Sequence, residues 1–149
     1  MTINVKLPLD RWKQGTIEVR DENGIVVCGV FSCYGKADNK EAAAHNNPNR
    51  YTTFSYGDHP YGKYKIIAIE KDKIPAHTYG SYFILIDPTD GDALVGKNNG
   101  RVGLAIHGGD LGEKGILRAT NGCLRVTNKD ITQIVSHIKI GDTYICDLG

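Results

Sequence analysis

Short apolar runs dominate the chain. "TIEVRD", "GIVVCGVF", "GKYKIIAIE", "YFILID", "GLAIH" and "GCLRV" are rich in β-branched residues and separated by Gly, Asn, Asp and Pro. Runs of this kind bounded by turn formers predict strands, and so a mostly-β domain. Asn23-Gly24 in "RDENGIVV" lies between two of them; both residues tolerate positive φ, which predicts a hairpin and antiparallel pairing at the start of the sheet. "DPTDGDAL" predicts a second turn. One segment follows the helical period instead: Ile131, Ile134, Val135 and Ile138 share a face, Thr127 is placed to cap it, and Asp130 follows three positions on. That stripe predicts a helix docked on the sheet. From Lys36 to Tyr56 the chain turns polar and Asn-rich around "EAAAH", which has room for a turn or two of helix. A connection of this length predicts a lid or binding loop. The expected helical content is one or two short helices.

At 149 residues the chain suffices for one domain spanning 1–149, whose core needs no metal or disulfide staple. Its 18 basic and 17 acidic residues are scattered and nearly balanced. That excludes the basic stripe that nucleic acid or an anionic membrane selects, and favours a neutral or zwitterionic partner. The apolar runs are far shorter than the ~20 residues of a membrane span, and "MTINVKLPLDRWKQG" has no charged-then-apolar leader. The chain therefore reads as having no membrane span and no signal peptide, as in a cytoplasmic or already trimmed protein. Cys28, Cys33, Cys123 and Cys146 fit neither a paired CxxC zinc site nor a dense disulfide framework. Cys28 reads as a small buried hydrophobe, and a pairing of Cys33 with Cys146 stays open.

Candidate chemistry gathers in "HGGDLGEKGILRATNGCLRV", from His107 to Val126. Alternation through "RVGLAIH" sends Val102, Leu104 and Ile106 to one face. Gly103, Ala105 and His107 share the other, so His107 is expected to end a strand on a face kept open by small neighbours. The same rule in "GCLRV" sends Leu124 and Val126 inward and leaves Cys123 and Arg125 on one side. A guanidinium beside a thiol favours the thiolate and can also hold a substrate carboxylate by two parallel hydrogen bonds. Gly122 allows close backbone approach and positive φ, which helps present backbone N–H groups to developing negative charge. These are the parts of a cysteine acyl-transfer site.

The order and spacing of these residues resemble the L,D-transpeptidase (YkuD-type) catalytic domain. His107, the interval 123 − 107 = 16, "TNGCLRV" and the following "TNKDI" are similar to that family's histidine before Gly or Ser, its Ser/Thr-His-Gly-Cys-aliphatic-Arg motif and its Asn/Asp-rich helix start. "DHPYGKYKI" resembles the family's Thr-Pro-x-Gly-x-Tyr/Phe segment, and "FSCYGK" the strand-then-glycine piece before it. The resemblance covers roughly residues 15 to 140 in order. It implies a β-sandwich-like fold and cofactor-free, metal-free cysteine acyl transfer on the stem peptides of bacterial peptidoglycan. Cys123 falls on the nucleophile, His107 on the base, Gly108 on the position whose carbonyl orients the imidazole, and Arg125 on the motif arginine. Arg125, Asn121, Thr120 and Tyr79 are the expected substrate contacts, Tyr79 and Tyr82 resembling a pocket-rim tyrosine. Backbone N–H groups of Gly122 and Cys123 are the expected oxyanion donors, each worth on the order of 3 kcal/mol.

Two positions depart from the family pattern. Asn121 stands where most members carry histidine, and an amide cannot move a proton at neutral pH, so hydrolysis is expected to gain on transpeptidation. His59 stands in place of the upstream threonine, a change expected to affect a loop more than the chemistry. His45, His59, His77 and His137 are all expected at the surface or in loops, with His137 in the last turn of its helix. Two other function classes compete. A metal-dependent wall hydrolase needs three ligands, whereas "IHGGD" supplies one histidine and one aspartate; a non-catalytic wall-binding module would keep an inert cysteine. The acyl acceptor stays open between an amine, a D-amino acid and water. The substrate lies in the periplasm or cell wall, so delivery by a specialised secretion system as an antibacterial effector, with an immunity protein as partner, is a further expectation.

Overall fold

The computed structural model describes residues 1–76, 80–109, 111–112 and 116–149. Its core follows from alternation. In β1 (Thr2–Leu7), Ile3, Val5 and Leu7 point inward, and in β2 (Gly15–Arg20) Ile17 and Val19 do the same. β3 (Val26–Cys33) returns from β2 through the expected hairpin. There Gly24 takes φ +77° and the Asp21 carboxylate accepts from the backbone N–H groups of Asn23 and Ile25. β4 (Gly62–Ala76) and β5 (Gly80–Asp90) form a long antiparallel hairpin carrying Tyr64, Ile66, Ile84 and Ile86 into the core. β6 (Ala105–His107), β7 (Leu124–Arg125) and β8 (Thr143–Leu148) complete the strands.

These strands make one ladder in the order β3-β2-β1-β8-β4-β5-β6-β7. Pairing is antiparallel except between β1 and β8 and between β6 and β7. The two ends of the ladder then meet. Tyr34, just after β3, exchanges two backbone hydrogen bonds of 2.9 Å with Arg125 of β7, and Ala37 bridges Thr120. Closure removes the exposed edge that would otherwise invite pairing with another chain, and it makes the architecture a barrel-like variant of the expected β-sandwich.

Three helices occur among the described residues, against the one or two expected. α1 (Asn39–Ala44) is the "EAAAH" piece, capped by Asp38. α2 (Gly91–Asn98) was unforeseen, and "DPTDGDAL" is the end of β5 and the start of this helix rather than a plain turn. It buries only Ala93 and Gly96, too small to write an apolar stripe, and Asp90 caps it. α3 (Asn128–Val135) is the expected helix, with Ile131 and Ile134 fully buried and Thr127 Oγ1 accepting from Asp130 N at 3.0 Å. It ends at Val135, so His137 lies beyond its last turn. Thr127→Ala leaves that N–H unsatisfied, and thermal or urea melts are expected to register a loss of about 1 kcal/mol.

The open cysteine pairing is resolved, and one further expectation changes. All four cysteines are free thiols, and burial pushes the Cys146 thiol up to about 12. The alternation drawn from Val102 to His107 holds only from Leu104 on: Val102 is 83% exposed, while Ala105, Ile106 and His107 are all buried, and His107 meets only the cavity described below.

Candidate active site

Parallel pairing of β6 with β7 sets Ile106 beside Leu124 and His107 beside Arg125. Ile106 and Leu124 enter the core; on the opposite face His107, Cys123 and Arg125 reach one cavity of about 560 Å³. Sequence alternation thus brings together two residues that the chain separates by a long loop.

His107 is 2% exposed and lies parallel to the Phe83 ring, 6.0 Å away centre to centre. Burial lowers its pKa to about 4, with the Gly108 carbonyl pulling up and the Arg125 charge pulling down. The ring is therefore neutral at pH 7. Its Nδ1 is 2.7 Å from the Gly108 carbonyl oxygen, which can only accept, so Nδ1 carries the proton and Nε2 the lone pair. The backbone here is held by Asn128 at the start of α3, whose Oδ1 accepts from Gly109 N at 3.0 Å and Ser81 N at 3.3 Å. A Cβ on Gly108 would sit 2.1 Å from that oxygen, so any larger residue would displace the Asn128 side chain. Asn128 was legible only as part of "TNKDI"; its bracing role was not.

Cys123 is half-buried, and its Sγ donates weakly to the Gly103 carbonyl at 3.8 Å. Burial raises its pKa; a hydrogen bond with the Ala105 backbone and the charges of Arg101 and Arg125 oppose that without overcoming it. Arg125 thus favours the thiolate as expected, but burial outweighs it. At rest a neutral thiol and a neutral imidazole therefore line the same cavity, and ionisation waits for a base. Alkylation of Cys123 by iodoacetamide is accordingly expected to keep accelerating as pH rises past ~9, the ordinary range of a thiol. A rate plateau near neutrality, read from pseudo-first-order labelling, would contradict it.

The segment leading to Cys123 is pinned from three sides. Thr120 Oγ1 accepts from Gly122 N at 3.0 Å and donates to the Cys123 carbonyl at 2.8 Å. The Gly122 N–H is therefore engaged within the protein and is not the oxyanion donor expected of it, whereas the Cys123 N–H bonds no described residue. Thr120 is buried and braces this turn, although it also borders the cavity; Asn121 is exposed at the cavity wall. Gly122 has φ +113°, and a Cβ there would sit 2.0 Å from Arg101 Nη2. Arg125, 5% exposed, also lines the cavity. Tyr79 and His77 lie outside the described residues; Tyr82 is half-buried against the core.

Two residues that matter here were missed. Arg101 is 3% exposed, and its guanidinium donates to the carbonyls of Thr52, Gly57 and Asp58, tying the 50s loop to the cavity wall. His59, expected in a loop or at the surface, is fully buried. Its Nδ1 is 2.9 Å from the Gly122 carbonyl oxygen and its Nε2 is 2.8 Å from Tyr144 Oη. Their partners lie 43 to 85 positions away in the chain, so no local pattern marks either.

Among the described residues no three His, Cys, Asp or Glu side chains gather as metal ligands, and no helix is long and apolar enough to cross a membrane. The closed β-ladder brings Cys123, just ahead of β7, and His107, the last residue of β6, to the wall of one cavity. Residues 31–146 match the family model of the YkuD L,D-transpeptidase catalytic domain, and the chain belongs to that family. Solved structures share the fold. Bd1075 of Bdellovibrio bacteriovorus aligns with a TM-score of 0.61 at 17% identity, over 97% of this chain and 46% of that one. L,D-transpeptidase 3 from Mycobacterium tuberculosis, in complex with a faropenem-derived adduct, aligns with a TM-score of 0.55 at 14% identity, over 97% and 60%. The chain thus spans roughly half of the structures it resembles. No curated protein matches it by sequence.

Proposed function

We propose that this chain is a single catalytic domain that transfers acyl groups on peptidoglycan stem peptides through a thioester on Cys123. The carrying observation is that Cys123 and His107 line one open cavity, with the His107 tautomer set by the Gly108 carbonyl. In the first step Sγ bonds to the carbonyl carbon of the L-centre of meso-diaminopimelate in a tetrapeptide stem, and the carbonyl electron pair moves to oxygen. His107 Nε2 takes the thiol proton as the bond forms, then passes it to the nitrogen of the departing D-alanine. The thioester is resolved by an amine, a D-amino acid or water. Cross-linking, exchange and L,D-carboxypeptidase activity are three outcomes of the same intermediate.

The cavity wall supports a zwitterionic ligand. Arg101, Arg118 and Arg125 line it together with the carboxylates of Asp38 and Glu41, matching a stem peptide that carries both ammonium and carboxylate groups. Asn121 at the wall supplies no proton relay, which favours water among the acceptors. Such a substrate places the site of action in the periplasm or cell wall. The experiment is mass spectrometry of purified tetrapeptide muropeptides incubated with the full chain. Loss of one alanine, exchange of the terminal residue, or a cross-linked dimer supports the reading; unchanged tetrapeptide, with the protein folded, overturns it.

A further inference from the structure

Behind the Cys123 turn lies a buried polar group that the mechanism above does not use. His59 is fully enclosed, absent from the cavity lining, and bonded at both ring nitrogens. Burial lowers its pKa to about 3, so the ring is neutral. The Gly122 carbonyl can only accept; Nδ1 therefore carries the hydrogen and Nε2 accepts from the Tyr144 hydroxyl. The Gly122 carbonyl thus fixes the tautomer, and the Tyr144 hydroxyl, able to donate or accept, donates to match it. His59 is itself held by its backbone N–H on the Gly35 carbonyl at 2.8 Å and by Arg11, whose guanidinium donates to the His59 carbonyl at 2.7 Å. The Tyr64 ring stacks on it, 5.8 Å centre to centre.

We infer that His59 is a positioning residue for the proposed reaction: by donating Nδ1–H to the Gly122 carbonyl it fixes the Gly122–Cys123 peptide plane and aims the Cys123 N–H at the substrate oxygen. In a trans peptide the N–H points opposite to the C=O. His59 holds the carbonyl from behind the turn, so the N–H faces the side on which Cys123 borders the cavity. Thr120 engages the Gly122 N–H and the Cys123 carbonyl, and this leaves the Cys123 N–H as the donor to the oxygen that takes the electron pair when the Sγ–C bond forms. The Gly122 carbonyl is the one backbone handle of that peptide, and His59 occupies it. A preorganised donor is worth most when its direction is fixed before reaction.

The inference rests on the acyl-transfer reading, and two variants separate it from general stability. In His59→Asn the side-chain amide occupies the place of Nδ1 and can still donate to Gly122; in His59→Gln it reaches the place of Nε2, toward Tyr144, and abandons Gly122. With alanine release from the tetrapeptide as the assay and the folded fraction fixed by circular dichroism, His59→Gln is expected to lower kcat by about 10²-fold with little change in KM. His59→Asn is expected to recover to within about fivefold of the parent. Parent-like kcat in folded His59→Gln, or equal loss in both folded variants, overturns the inference.

Nuclear magnetic resonance of the unmodified chain gives a second decision that needs no variant to fold. A scalar coupling across the hydrogen bond, from His59 Nδ1 to the Gly122 carbonyl carbon, is expected, and its absence overturns the inference. If the unmodified chain leaves tetrapeptide unchanged, the functional reading fails while this coupling still reports whether His59 holds Gly122. If it turns over tetrapeptide and His59→Gln does so equally well, the positioning role fails and the function stands.

Discussion

Cys123→Ala is expected to lower tetrapeptide turnover by at least about 10⁴-fold, while leaving the thermal midpoint within about 2 °C of the parent. The two halves of this expectation have different origins. Without sulfur no thioester forms, and His107 and the Cys123-position N–H can only assist direct attack by water, the residual catalysis left when a nucleophile is removed. Stability changes little because the side chain is half-buried at a cavity wall and gives the core almost no packing; the core begins at Leu124, the next residue. Turnover by mass spectrometry and melting by circular dichroism check both halves. A variant with parent-like turnover would mean that Cys123 is not the nucleophile, and one that fails to fold would mean that the thiol is structural.

Acid is expected to unfold the protein over an unusually mild range, by several kcal/mol between pH 6.5 and 3. His59 titrates near 6.5 in an unfolded chain and near 3 in the fold, and His107 near 6.5 and near 4. Each folded value is depressed, so the unfolded state binds more protons as pH falls. The stability contributed by burying these rings neutral is fully present above about pH 6.5 and declines as pH drops toward the folded values. Each histidine contributes a slope of about 1.4 kcal/mol per pH unit while it titrates only in the unfolded state. Against a total of ~5–15 kcal/mol, two such sites matter. Urea melts at pH 7, 5.5 and 4.5 are expected to show the decline, and His59→Asn should flatten the slope by close to one proton. A stability independent of pH over this range would mean that the rings are reached by solvent.

Much of the fold could be read because strand alternation is a local property. Ile17 and Val19, Ile84 and Ile86, and Leu124 and Val126 are each two apart, and every one is buried. The same rule applies to Ile3, Val5 and Leu7 of β1 and to Tyr144 and Cys146 of β8, yet both strands were overlooked beside the richer runs. α2 escaped because its buried residues are Ala and Gly. At the site, the residues carried by a motif, Cys123, His107, Gly108 and Arg125, were legible together. Residues acting from afar were not. Thr120 borders the cavity, but its bracing of Gly122 and Cys123 was not legible, and Arg101 has no neighbour in sequence that explains its burial. His59 reads as a loop residue in the sequence because its significance depends on Gly122 and Tyr144, 63 and 85 positions away. The ionisation of Cys123 could not be read either, because only the favourable charge of Arg125 was visible, while the charge of Arg101 and the opposing desolvation are properties of the folded surroundings.

The join between Tyr34 and Arg125 has a mechanical consequence. The strand carrying Arg125, with Cys123 at its entrance, is both the last rung of the ladder and the piece that locks against the stretch leading into α1. β7 is only two residues long, so it has few rungs with which to resist displacement. Any force that parts the barrel at its join shifts the sulfur before it disturbs the long β4–β5 hairpin. Inactivation should therefore precede loss of the bulk β-structure when the fold is gently stressed.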